Sequence, residues 1–126
     1  MRPKAKILFP AILTLLISPV LGADFTYKEY AKAPDAWKRG FLFGMSQYMS
    51  SVARPDEEPP YPVRTAFKRC LGPAADSTLV RHVDAYVAAH PEGSNGPVIP
   101  VIMRALFDFC RVEISKIKPD QLPAPR

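Results

Sequence analysis

Apolar residues recur along this chain at helical spacing, and prolines mark where the segments begin and end. Trp37, Phe41, Gly44, Met45, Tyr48 and Val52 follow i, i+4, i+7, i+8, i+11 and i+15. That pattern predicts a helix over 34–53 with this stripe turned inward. Gly40 and Gly44 lie one turn apart in it. Each costs about 1 kcal/mol against alanine in a helix interior, so close packing by a second helix over the glycines is expected in compensation. A short helix precedes it near Tyr27–Lys32. Residues 54–61, Arg-Pro-Asp-Glu-Glu-Pro-Pro-Tyr, read as an exposed loop. Pro62 opens a short helix carrying Val63, Phe67, Cys70 and Leu71, and Gly72-Pro73 closes it. The next helix is expected from about Ser77 to His90, capped by Asp76 or Ser77, with Leu79, Val83, Tyr86 and Val87 inward. Pro91 stops it, and Pro91–Gly96 is a turn-rich loop. A last helix is expected from Pro97 to about Lys116, with Val98, Val101, Ile102, Ala105, Leu106 and Phe109 inward. No window alternates as a strand would. The fold class is therefore all-α: a compact bundle of four main helices over residues 24–117, with 118–126 as a disordered tail.

The N-terminus adds a different kind of segment. Arg2, Lys4 and Lys6 precede an apolar run from Ile7 to Leu21, and small residues follow at Gly22 and Ala23. This is the order of a secretory signal peptide, residues 1–23, cleaved after Gly22 or Ala23. The run is shorter than the roughly 20 residues a spanning helix needs, and Pro10 and Pro19 interrupt it. Export to the periplasm, with no membrane anchor left after cleavage, is the expected outcome.

Export changes how charge and cysteine are read. The chain holds 17 Lys and Arg against 12 Asp and Glu. Three of the basic residues lie in the signal segment, leaving 14 against 12 in the 103-residue mature chain. No basic run exceeds two residues, so nucleic acid is not an expected partner. Cys70 and Cys110 are the only cysteines. In an exported small domain two cysteines are expected to form one disulfide, against the competing readings of a reactive thiol or metal ligands.

Residues in a catalytic or metal-binding pattern are few. Ser46, Ser50 and Ser51 have no histidine near them in sequence, and His82 and His90 are eight positions apart on one helix, too far to share a metal. No glycine-rich phosphate loop is present. The chain reads as a non-enzyme with no metal or cofactor. Asp56, Glu57 and Glu58 read first as solvated loop charges and second as an acidic patch for a partner. Tyr27, Tyr30 and Tyr61 lie outside the main stripes and are candidates for an interaction surface, with buried packing against a short helix the equal alternative for Tyr27 and Tyr30.

Four segments carry a family resemblance. They are Trp37-x-x-Gly40-Phe41-x-x-Gly44-x-x-x-Tyr48, then Cys70-Leu71, then Leu79 to Val87 ending in His90-Pro91-Glu92, and finally Val101 to Leu106 leading to Cys110. In this order, over residues 26–112, the chain resembles the Tai/Rap-type family of small periplasmic proteins, whose studied members are immunity proteins against type VI secretion effectors. The resemblance implies a helical fold, a homodimer, and inhibition of a peptidoglycan amidase toxin by covering its active site. The family's further cysteines around the first long helix have no counterpart here. The resemblance transfers no inhibitory residue; expected exposure alone makes Pro91–Gly96 (Glu92, Ser94, Asn95) or Arg54–Tyr61 (Asp56, Glu57, Glu58, Tyr61) the candidate partner-binding loop. The alternative function is that of a periplasmic stress chaperone resembling HdeA, also small, helical and held by one disulfide.

Overall fold

A computed structural model describes residues 25–51 and 61–122. The expected signal segment, Val52, and the loop acids Asp56, Glu57 and Glu58 lie outside the described residues. Within them the chain is helical: α1 Tyr27–Lys32, α2 Asp35–Ser51, α3 Pro62–Leu71, α4 Asp76–Ala89, α5 Val98–Phe109 and α6 Arg111–Ser115. The four longest, α2 to α5, are the expected bundle.

Local chemistry accounts for several boundaries. Thr26 caps α1, accepting a hydrogen bond from the Glu29 amide, while the Glu29 carboxylate accepts from the Thr26 amide at 2.7 Å. This reciprocal arrangement satisfies two donors that a helix start leaves open. Pro62 stands at the first position of α3, where its missing N–H costs nothing. Gly72 follows α3, and a Cβ there would come within 2.6 Å of the Lys68 carbonyl oxygen, so the close approach itself requires glycine. The cap expected at Asp76 or Ser77 is not formed. Ala75 occupies the cap position without a side-chain bond, and Asp76 instead sits in the first turn, where its negative charge meets the positive end of the helix.

α2 packs on α3 and α4, α4 on α5, α3 on α6, and α1 on α5. The core gathers Leu42, Met45 and Met49 of α2 with Phe67 and Leu71 of α3. α4 adds Leu79, Val80, Val83 and Val87, and α5 adds Val98, Val101, Ile102, Ala105 and Leu106. The stripes expected on α3, α4 and α5 are those that face inward. Tyr86, Phe109 and Val63 reach the core only half-buried, and Phe107 is 41% exposed with its ring set edge-on to Phe67.

The expected stripe of α2 is corrected in part. Met45 of that stripe is buried and Phe41 packs half-buried on the core, but Trp37 is 45% and Tyr48 58% exposed, and Leu42, Ser46 and Met49 complete the buried face. The helix carries two apolar stripes at helical spacing, and the one with thinner, more flexible side chains faces the core. The helix expected to cover Gly40 and Gly44 is also absent among the described residues. A methyl group at either glycine would meet no atom within 4 Å.

The last helix is broken where one continuous element was expected. Cys110 takes φ −92° and ψ 7°, ending α5, and α6 restarts at Arg111. Cys110 is bonded to Cys70 with a Cα–Cα distance of 5.6 Å, so the expected disulfide ties the end of α3 to this joint. Residues 118–122 of the expected disordered tail include a 3-10 turn at Pro119–Gln121, and 123–126 lie outside the described residues.

Candidate partner-binding surface

The α4–α5 connection is short and heavily tied. His90 leaves α4 with its backbone N–H bonded to Tyr86 and Val87 carbonyls. Its ring Nδ1 lies 2.8 Å from the Tyr86 carbonyl oxygen, which accepts only, so Nδ1 carries the proton. Pro91–Gly93 then form one 3-10 turn, with Gly93 N–H donating to His90, Ser94 N–H to Pro91 and Gly96 N–H to Gly93. The Ser94 hydroxyl donates to the Pro91 carbonyl at 2.8 Å.

A second set of bonds comes from the N-terminal segment. Tyr27 N–H donates to the Gly96 carbonyl and Lys28 N–H to the Ser94 carbonyl, each at 3.0 Å, while Val98 N–H donates to the Phe25 carbonyl at 2.8 Å. Thr26 and Pro97 pair as one antiparallel bridge. The loop is therefore clasped from inside and from α1. Its backbone is fixed while Glu92 and Asn95 stay exposed and Ser94 half-exposed. Such a loop is already ordered before any partner arrives.

Beside the loop lies a shallow cavity of about 100 Å³, lined by Tyr86, Val87, His90, Glu92, Gly93, Val101 and Arg104. Val87 and Val101 form an apolar floor. The Tyr86 ring stacks on His90 with centroids 4.2 Å apart and makes one wall. Glu92 and Arg104 bring opposite charges to the lining. The arrangement has room for one small aliphatic side chain with a polar group beside it. The structure thus joins one of the expected loops to Tyr86, His90 and Arg104. Tyr86 was read as core and His90 as a helix end. Their i, i+4 spacing was the available signal, because it stacks two rings at the C-terminus of a helix.

Of the other loop only Tyr61 is described. It is half-buried at the cap of α3 and makes no side-chain cap bond. Of the two readings of Tyr27 and Tyr30, packing and not a contact surface holds: both are buried, Tyr30 completely. The Tyr27 hydroxyl donates to the Asp84 carboxylate at 2.7 Å. Burial first, then this bond and the negative charge of Asp84, push the Tyr27 phenol well above its ordinary value. Burial also raises Tyr30, with Asp84 and Asp35 adding to it, and its hydroxyl has no partner among the described residues.

His82 links α4 to α5. Its Nε2 lies 3.0 Å from the Ala105 carbonyl and 3.2 Å from Asp108 Oδ2, and its ring meets Phe109 edge-on. These contacts brace the two helices at a half-exposed site. Among the described residues no group of three His, Cys, Asp or Glu side chains is placed to hold a metal ion, and no helix is long and apolar enough to cross a membrane. No protein-family model, curated protein or solved structure matches the chain.

Proposed function

We propose that the mature chain is an exported, non-catalytic binding protein of the immunity type, which covers the active site of a peptidoglycan amidase toxin in the periplasm. The observation that supports it is the clasped Pro91–Gly96 loop with the Tyr86–His90–Arg104 cavity at its side. A fixed loop with exposed polar residues next to a socket is suited to meeting an enzyme cleft, because little order remains to be imposed on binding. Glu92 and Asn95 supply polar contacts at the rim, and the cavity receives one side chain of the toxin. The resemblance of residues 26–112 to the Tai/Rap-type proteins supplies the class of partner.

The test is protection. The full chain is produced in cells that export peptidoglycan amidase toxins to the periplasm, beginning with any encoded beside it, and growth is followed. Rescue by the wild type, lost in Glu92→Arg and Arg104→Glu with normal periplasmic levels, is the expected result. Growth arrest unrelieved by the wild type across such toxins refutes the immunity reading. The chaperone alternative draws on the exposed apolar side chains Phe25, Trp37, Phe43, Ile99 and Phe107. It requires suppression of client aggregation at about pH 2–3, and absence of suppression removes it.

A further inference from the structure

We infer that the cavity between the end of α4, the Pro91–Gly93 turn and α5 is a binding site for a small aliphatic α-amino acid in its zwitterionic form, of the size of alanine. The charges of the lining select this class of ligand. Glu92 and Arg104 line the same cavity of about 100 Å³. They form no ion pair with each other, and neither has an ion-pair partner elsewhere among the described residues. A ligand with a single charge would meet one of them and leave the other unmatched. A ligand with an ammonium and a carboxylate close together meets both, and an α-amino acid carries the two groups on one carbon.

The two ends of the cavity differ in what they attract. α4 finishes there with no basic residue in its last turn, so no side chain offsets the negative end of the helix. The His90 Nδ1–H donates to the Tyr86 carbonyl, which leaves Nε2 of the neutral ring as an acceptor. The Tyr86 ring, stacked on His90, adds an aromatic face, and such faces attract cations. Together with the Glu92 carboxylate these groups favour the ammonium on the α4 side. Arg104, on α5, takes the carboxylate, whose two oxygens match the planar guanidinium fork.

Size is set by Gly93. A Cβ at this position would lie 3.4 Å and 3.6 Å from the two methyl groups of Val101, an ordinary contact without a clash. Its backbone is not in the left-handed region, so the turn itself does not require glycine. What the missing side chain provides is an uncovered Val101 beside Val87, a floor for one short alkyl group. Glu92 and Arg104 are exposed, so each charge contact is weak. With so few non-hydrogen atoms in the ligand, a dissociation constant on the order of 1 mM is expected.

NMR titration of the isotope-labelled wild-type chain with alanine, after purification from cells that produce the full chain, tests the site. The expected result is saturable shifts at the amides of His90, Gly93, Val101 and Arg104. Alaninamide lacks the carboxylate and N-acetylalanine lacks the ammonium, and each should bind about threefold more weakly or worse. Arg104→Gln should weaken alanine by a similar factor and leave alaninamide unchanged. Glu92→Gln should weaken alanine and leave N-acetylalanine unchanged. Gly93→Ala covers the floor and should weaken all three ligands, with thermal melting reporting that each variant keeps its fold. Shifts that rise without saturation through the millimolar range overturn the inference. So does saturable binding that is indifferent to both Arg104→Gln and Glu92→Gln. The site shares its cavity with the proposed toxin contact but needs no toxin. Alanine binding without protection therefore supports this inference while the immunity reading fails, and protection without alanine binding overturns this inference alone.

Discussion

Replacing Cys70 and Cys110 with alanine is the perturbation whose size follows most directly from the structure. The bond joins residues 40 apart in sequence, connecting the end of α3 to the joint between α5 and α6. In the chain-entropy treatment, opening a loop of that length removes about 4 kcal/mol of stability. Small domains hold only about 5–15 kcal/mol in total, so the loss is a large share. For a domain of this size about 4 kcal/mol corresponds to a fall of roughly 15–30 °C in thermal midpoint. Alanine suits the test because Cys110 is buried, and a serine hydroxyl would add an unpaired polar group there. Urea unfolding of wild type and variant, with and without reductant, measures the effect. The wild type under reductant and the alanine variant should agree. The denaturant slope should rise in both, because an uncrosslinked denatured chain exposes more surface. A loss of less than about 1 kcal/mol, with an unchanged slope, refutes the entropic reasoning.

The buried tyrosines give a contrasting pair. Tyr27→Phe removes a donor from the Asp84 carboxylate and should cost about 1.5–3 kcal/mol, whereas Tyr30→Phe removes a hydroxyl without a partner among the described residues and should be neutral or stabilising, both read by urea unfolding. Both phenols are raised in the folded state, so the unfolded chain loses these protons first as pH rises. Stability is therefore full below about pH 10 and falls above it, and the fall should be shallower in the Tyr27→Phe/Tyr30→Phe double variant. Gly40→Ala places a methyl group in open space and should stabilise by about 1 kcal/mol, seen as a higher thermal midpoint. Leu42→Ala empties a fully buried position and should cost about 2–5 kcal/mol by the same measurement.

Much of the helical plan was legible in the sequence because prolines and glycines bracket each segment. Pro62 and Gly72 frame α3, and Pro91 and Pro97 frame the connection between α4 and α5. Periodicity also chose the inward faces of α4 and α5, which are apolar on one side. It failed on α2 because that helix is apolar on two sides. Trp37, Phe41 and Tyr48 repeat as regularly as Leu42, Met45 and Met49, and spacing alone does not say which stripe finds a neighbour. The break at Cys110 was hidden for a related reason. Val101 to Phe109 and Ile114 keep a helical pattern across it, and the interruption lies in backbone geometry at the bridged cysteine. The candidate site was half legible. Turn residues marked Pro91–Gly96 as a loop, but its clasp from Phe25, Tyr27 and Lys28 depends on contacts some seventy residues apart, which no local pattern encodes.

That clasp also sets an order of events during synthesis. Phe25, Tyr27 and Lys28 are made first, and their hydrogen-bond partners at Ser94, Gly96 and Val98 follow only after α2, α3 and α4. The loop therefore takes its final shape late, and a chain that stops short of Val98 does not present the surface proposed to bind a partner.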